Sequence, residues 1–164
     1  MTLPPEPDWS WSDVEAQVKP RTDTVDLCLD GTVQRQLEDA RQRLKQARRT
    51  SDSLDDGHAD LQAEVDRLEA EAAEATRTFD VVACGHKRWR ELLVEHRSDE
   101  PGVRYDAETF VPAAIAECVV QFESAEQVAA AADGKLTTGQ ISKLFTTVRR
   151  LNEGDDEVPS LRGR

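Results

Sequence analysis

The chain has 164 residues, enough for one domain of ordinary size, of which 38% are hydrophobic and 33% charged. The net charge of −12 argues against a nucleic-acid or anionic-membrane binder working through its overall field. No apolar run approaches the roughly 18 to 20 residues that a bilayer span requires.

With a mean hydropathy of −0.64 the core is thin for the length, so part of the chain is expected to be extended or solvated. The opening MTLPPEPDWSWSD lacks the basic-then-apolar start of a secretion signal. Cys28, Cys84 and Cys118 are an odd number at unrelated spacings and read as reduced thiols of a cytoplasmic protein.

Residues 1–23 hold four of the seven prolines and little periodicity, which predicts a mobile arm. Within it, Trp9 and Trp11 are either docking points or side chains resting on the domain. Val25, Leu27 and Leu29 then alternate with Asp26, Cys28 and Asp30, a half-buried strand ended by Asp-Gly. The period changes to that of a helix at Val33, Leu37, Ala40, Leu44 and Ala47. The turn-forming SDSLDDG follows, then a second seam of Leu61, Val65, Leu68, Ala72, Ala75 and Phe79. Two helices of similar length across a short loop make an antiparallel hairpin.

Phe79, Val81 and Ala83 alternate again with Thr78, Asp80 and Val82. One strand enters the hairpin and one leaves it, so the two are expected to pair. A lone two-stranded ribbon is marginal in water, and helices beyond residue 85 must cover its apolar face.

The first of these, HKRWRELLVEHR from His86 to Arg97, places Trp89, Leu92, Leu93 and His96 on one stripe, with His86 at its edge and Glu91 and Glu95 roughly opposite. A zinc-hydrolase helix needs two histidines one turn apart with a glutamate beside them. Here the histidines are ten residues apart and the carboxylates face away, so His96 reads as a partly buried core histidine and Trp89 as an anchor. Asp106 begins the next helix, in which Pro112 is expected to leave Val111 extended or kinked. Val111, Ile115, Cys118 and Phe122 share its face. Ser124 with Gln127, and Thr137 with Gln140, read as capping boxes of two further helices. The last runs through Ile141, Leu144, Phe145, Val148 and Leu151 and is ended by Asn152 and Gly154.

The expected fold is therefore mainly α (α+β): a two-stranded β ribbon with a projecting antiparallel helical hairpin, packed on a C-terminal cluster of about four helices. Residues 24–84 carry strand, hairpin and strand, residues 85–152 complete the same domain, and 153–164 form an acidic polar tail.

Two metal readings fail, and a phosphate-binding one is outweighed. The loop from Asp52 to Gly57 lacks a calcium loop's glutamate at position twelve, where Ala63 stands. Cys28, Cys84 and His86 would need a fourth ligand to close a zinc shell, and separated cysteines in apolar strands are ordinarily packing residues. The basic stretch Arg41, Arg43, Lys45, Arg48 and Arg49, like the cluster Lys87, Arg88 and Arg90, could meet phosphates. The hairpin partner, however, carries Asp60, Glu64, Asp66, Glu69, Glu71 and Glu74, and opposite charges across a hairpin set its orientation. No phosphate loop, nucleophile elbow or carboxylate pair is present, so neither a catalytic residue nor a cofactor is expected.

VDLCLDG and the charged helices after it, then FDVVACGHKRWRELLVEHR, RYDAETFVPAAIAECV and LTTGQISKLFTTVRRLN, together resemble the tail assembly chaperones of long-tailed (siphovirus-type) phages of actinobacteria. The resemblance covers residues 25 to 152. It rests on an arginine-tryptophan helix at Arg88 and Trp89, a D-x-x-T-F-x-P helix start from Asp106 to Pro112, and an L-T-x-G-Q helix start from Leu136 to Gln140. It implies a non-enzymatic protein of the host cytoplasm that binds the long, apolar, helical tape measure protein and keeps it soluble. Such a protein also helps recruit tail tube subunits and is absent from the mature virion. A longer, frameshifted form is frequent in that family and is written only in nucleotides.

A soluble acidic chain with a slender hairpin and a small apolar helix cluster can offer grooves to another helix. Trp89, Leu93, Phe110 and Phe145 are the expected partner contacts, with plain core packing as the alternative for each. The rival from another class is a coiled-coil nucleic-acid-binding regulator using Arg41 to Arg49. Homo-oligomerisation stays open.

Overall fold

The computed structural model describes residues 10–50 and 58–154. Strand β1 (Thr22–Cys28) pairs antiparallel with β2 (Thr76–Val82), in a register that sets Val25 opposite Phe79 and Asp23 opposite Val81. Because side chains alternate along a strand, Val25, Leu27, Phe79 and Val81 share one face. Val25, Leu27 and Val81 are buried on it and Phe79 is half-buried. On the other face Thr78 donates its hydroxyl to the Asp26 carboxylate at 2.6 Å. The strands pair as their alternation predicts.

Leu29 does not belong to the strand. The Asp30 carboxylate accepts the backbone N–H groups of Thr32 (3.0 Å) and Val33 (3.1 Å), so Asp-Gly caps a helix rather than turning a strand, and Leu29 is left exposed. That helix, α2 (Gly31–Thr50), packs on α3 (His58–Glu74) through Leu37, Ala40, Leu44, Val65 and Leu68, all buried, with Leu61 and Ala72 alongside. Twenty residues make a projection about 30 Å long. Its core is separate from that of the body. The connecting SDSLDDG lies outside the described residues, and with it the rejected calcium loop.

The body consists of α4 (His86–Glu95), α5 (Ala107–Cys118), α6 (Ala125–Gly134) and α7 (Thr138–Glu153). Gly85, at φ +86°, turns the chain from the ribbon into α4, a conformation that glycine adopts without strain. The Asp106 carboxylate caps α5, and Thr137 with Gln140 form a complete box on α7. The Ser124 box is not reciprocal: Ser124 caps Gln127, but the Gln127 side chain turns to the N–H of Glu123 at 2.8 Å. Pro112 breaks nothing. It is the sixth residue of α5, where it removes only the bond to the exposed Glu108 carbonyl. Phe110 and Ala114, both fully buried, hold Val111 helical.

The body buries Trp89, Leu92, Phe110, Ile115, Cys118, Val119, Val128, Leu144 and Val148 against Val25, Leu27 and Val81 of the ribbon. Both ribbon edges are occupied. On β2, Val119 bridges Val81, and Val120 donates its N–H to the Asp80 carbonyl at 3.0 Å. On β1, α7 sends Gln140 to the Cys28 carbonyl (2.6 Å) and Lys143 to the Asp26 carbonyl (2.7 Å). An open strand edge is a template for unwanted pairing, and side chains of α7 close this one.

The arm reading of residues 1–23 is corrected in two places. Trp11–Gln17 form a helix, α1, whose N-terminus is closed by a capping box between Ser10 and Asp13, and β1 begins at Thr22. No residue of α1 is buried, and at seven residues it is too short to show a helical period. Trp9 lies outside the described residues. At the other end, α7 runs through Asn152 to Glu153 before Gly154 stops it, so the tail begins later than expected; residues 155–164 are likewise outside.

Candidate partner-binding site

The four residues expected to meet a partner converge, but inward. Phe110 is fully buried at the hub of an aromatic cluster. Its ring centroid lies 5.3 Å from Trp89, 4.3 Å from Tyr105, 5.9 Å from Phe145 and 6.3 Å from His96. Trp89 is buried as well; Leu93 and Phe145 are half-buried and pack on the same core. Aromatic pairs at these separations hold α4, α5 and α7 together. A partner reaching this cluster in the folded body meets the outer edges of Leu93, His96, Tyr105 and Phe145. His96 stands edge-on to Phe110, half-buried as its stripe position predicts.

A groove of mixed polar and apolar lining lies elsewhere, at the root of the hairpin. There α2, α3, the end of β1 and the first turn of α7 enclose a groove of about 500 Å³. Half-buried Cys28 and Ala72, over the buried Leu27 and Leu37, supply its apolar part, and Glu38, Arg41, Asp26 and Lys143 its charged groups. Gln140 is buried beneath it. Its amide N–H donates to the Cys28 carbonyl while its oxygen accepts the Thr137 N–H at 2.9 Å, so the floor presents no unpaired amide. Sequence reasoning located Gln140 only as a helix cap. Nothing in the L-T-x-G-Q spacing says that the cap also reaches a strand.

The charges flanking the groove are mostly committed. Arg41 pairs with Glu69 at 2.8 Å and Arg43 with Glu64 at 3.0 Å across the hairpin, and Arg48 donates to Gln62 at 2.8 Å. Three of the five cations once set aside for phosphate are thus tied to α3. Arg88, of the second basic cluster, donates to Glu117 at 3.1 Å and to Glu95 at 3.1 Å; these two partners raise its pKa further and lock α4 against α5.

The cysteines do not converge as strand neighbours. Cys28 ends β1 opposite Thr76, whereas Cys84 follows the far end of β2, so roughly 20 Å of ribbon separates them. Cys84 instead shares Asn152 with Cys118: its Sγ lies 3.3 Å from Oδ1, and Asn152 Nδ2 donates to Cys118 Sγ at 3.4 Å. Burial, reinforced by the Cys118 sulfur beside it, pushes the Cys84 thiol up to about 12, and burial raises Cys118 too. Both are protonated at neutral pH and unsuited to nucleophilic attack. Among the described residues, no three His, Cys, Asp or Glu side chains are grouped to hold a metal ion, and no helix is long and apolar enough to cross a membrane.

Comparison of the chain with protein-family models, with curated proteins and with solved structures found no match.

Proposed function

We propose that this chain is a tail assembly chaperone of a long-tailed phage, a non-enzymatic binder that holds the tape measure protein in solution and helps bring tail tube subunits to it in the host cytoplasm. The observation that carries the reading is the groove at the hairpin root. There the half-buried Ala72 and Cys28, over the buried Leu27 and Leu37, lie beside Glu38, Arg41 and Lys143, an arrangement that can seat one edge of an amphipathic helix while its flanks meet charge. The sequence motifs at Arg88–Trp89, Asp106–Pro112 and Leu136–Gln140 agree with it. The net charge of −12 is suited to dispersing an aggregation-prone client.

Co-expression with the tape measure protein tests this. The client stays in the soluble fraction and co-purifies only when this chain is present. A client equally soluble alone, with nothing co-purifying, overturns the reading. The rival regulator rests on the outer face of α2, where Arg41, Lys45 and Arg49 line one surface. Steeply salt-dependent DNA binding is its signature, because phosphate contacts release counterions.

A further inference from the structure

Folding exchanges the cysteine pair that the spacing brought to mind, Cys28 with Cys84, for a different one. Cys84 follows β2, Cys118 is the last residue of α5, and Asn152 of the last turn of α7 reaches both. Its Oδ1 lies 3.3 Å from Cys84 Sγ, and its Nδ2 donates to Cys118 Sγ at 3.4 Å. Oδ1 also accepts the Cys84 N–H at 3.0 Å, and Nδ2 donates to the Val148 carbonyl at 2.8 Å, so backbone groups hold the carboxamide at both ends. The Cys118 sulfur is near enough to act on the Cys84 thiol directly. Both are free thiols. Cys118 is buried and Cys84 only half-buried, so the pair has an inner sulfur and an outer one that solvent reaches.

We infer that Cys84 and Cys118 form a binding site for one thiophilic monovalent cation, of the copper(I) and silver(I) class. Two sulfurs cannot close the four-ligand shell of structural zinc, and among the described residues no third His, Cys, Asp or Glu joins them. Soft monovalent cations ask for less: they select sulfur ligands, and two of these in line satisfy them. The ion takes the place of both thiol protons, which leave to solvent, and nothing is oxidised or reduced. Two thiolates around one monovalent cation keep a single negative charge. Asn152 is the positioning residue for that charge, because its Nδ2–H already points at the Cys118 sulfur. Cys28 ends β1 at the other end of the ribbon and offers an ion one sulfur alone. The bound ion would pin the ribbon's exit to the end of α5.

Silver(I) is the probe, added without halide or reductant under argon to the full chain carrying Cys28→Ser, which removes the sulfur outside the pair. Native mass spectrometry is expected to show one ion on one chain, and X-ray absorption at the silver edge two sulfur neighbours. Cys84→Ala and, separately, Cys118→Ala leave one sulfur each and weaken binding by about 100-fold or more, as when a two-point attachment becomes a single one. Both are checked for unchanged far-ultraviolet circular dichroism. Cys118→Val, which keeps the core filled, takes the place of Cys118→Ala if that variant loosens α5. A chain that takes up no silver overturns the proposal, as does a shell with one sulfur or with nitrogen and oxygen only. Binding unchanged by Cys84→Ala, or an ion that bridges two chains, overturns it as well.

Discussion

Gln140 and Cys28 are 112 residues apart in sequence, yet the Gln140 amide donates to the Cys28 carbonyl at 2.6 Å. One side chain thereby completes the cap of α7, closes the edge of β1 and floors the hairpin-root groove. Removing it leaves the Thr137 N–H and the Cys28 carbonyl without these partners. Gln140→Ala and the volume-preserving Gln140→Leu are each expected to lower the unfolding free energy by about 1–3 kcal/mol. Urea denaturation reads this, and a loss below about 0.5 kcal/mol in both variants contradicts the role assigned to Gln140.

Phe110 touches four other rings and is fully exposed to none of the solvent. Phe110→Ala is expected to cost about 3–5 kcal/mol, and Phe145→Ala, half-buried at the cluster's edge, clearly less. Equal losses in denaturant titrations contradict the hub arrangement.

The Asp13 carboxylate accepts the hydroxyl (2.7 Å) and the backbone N–H (2.8 Å) of Ser10, and these bonds, the hydroxyl's first, hold its pKa below the usual aspartate value. A folded pKa below the unfolded one means that the carboxylate supports α1 above the usual range near about 4 and that this support is lost as pH falls through the lowered value. Carbon chemical shifts of Trp11–Gln17 are therefore expected to stay helical at neutral pH and move towards coil in acid. Unchanged helical shifts well below that range contradict the box.

Because burial disfavours the thiolates of Cys84 and Cys118, iodoacetamide at neutral pH is expected to leave both unmodified in the folded protein and to label them after unfolding. Peptide mapping by mass spectrometry distinguishes them from Cys28. Rapid labelling of Cys84 in the folded chain contradicts the burial account.

Much of the architecture was legible because its signals are local. Leu37, Ala40 and Leu44 repeat at helical spacing and are buried; Val25 and Leu27 alternate and lie on one ribbon face. Misreadings arose where one residue has two local meanings. Asp30 signals a turn as well as a cap, and the alternation through Leu29 continues past the point where the cap takes over. Pro112 signals a break, but near a helix start that break is mild, and the burial of Phe110 decides it. Helix α1 was missed because seven residues between prolines are too few to show a helical period. The groove is not a pattern in any one segment. It exists because α7 meets β1 beside α2 and α3, and no spacing within L-T-x-G-Q states where the floor of that meeting lies. For Trp89 and Phe110 the sequence left partner contact and plain core packing both open, because large apolar side chains serve either, and both are buried.

The most direct test of the groove as the client's seat is Gly139→Arg. An added Cβ at Gly139 meets only the Thr137 hydroxyl at 3.9 Å, so the backbone accepts a side chain there. At this second residue of α7 the change is close to neutral for the helix, because the lost glycine is offset by a cation near the helix N-terminus, while the long side chain fills the groove mouth. Co-expressed with the tape measure protein, the folded variant is expected to lose co-purification and leave the client insoluble, whereas the wild type retains both. A Gly139→Arg chain that holds the client as well as the wild type does would contradict the groove assignment directly.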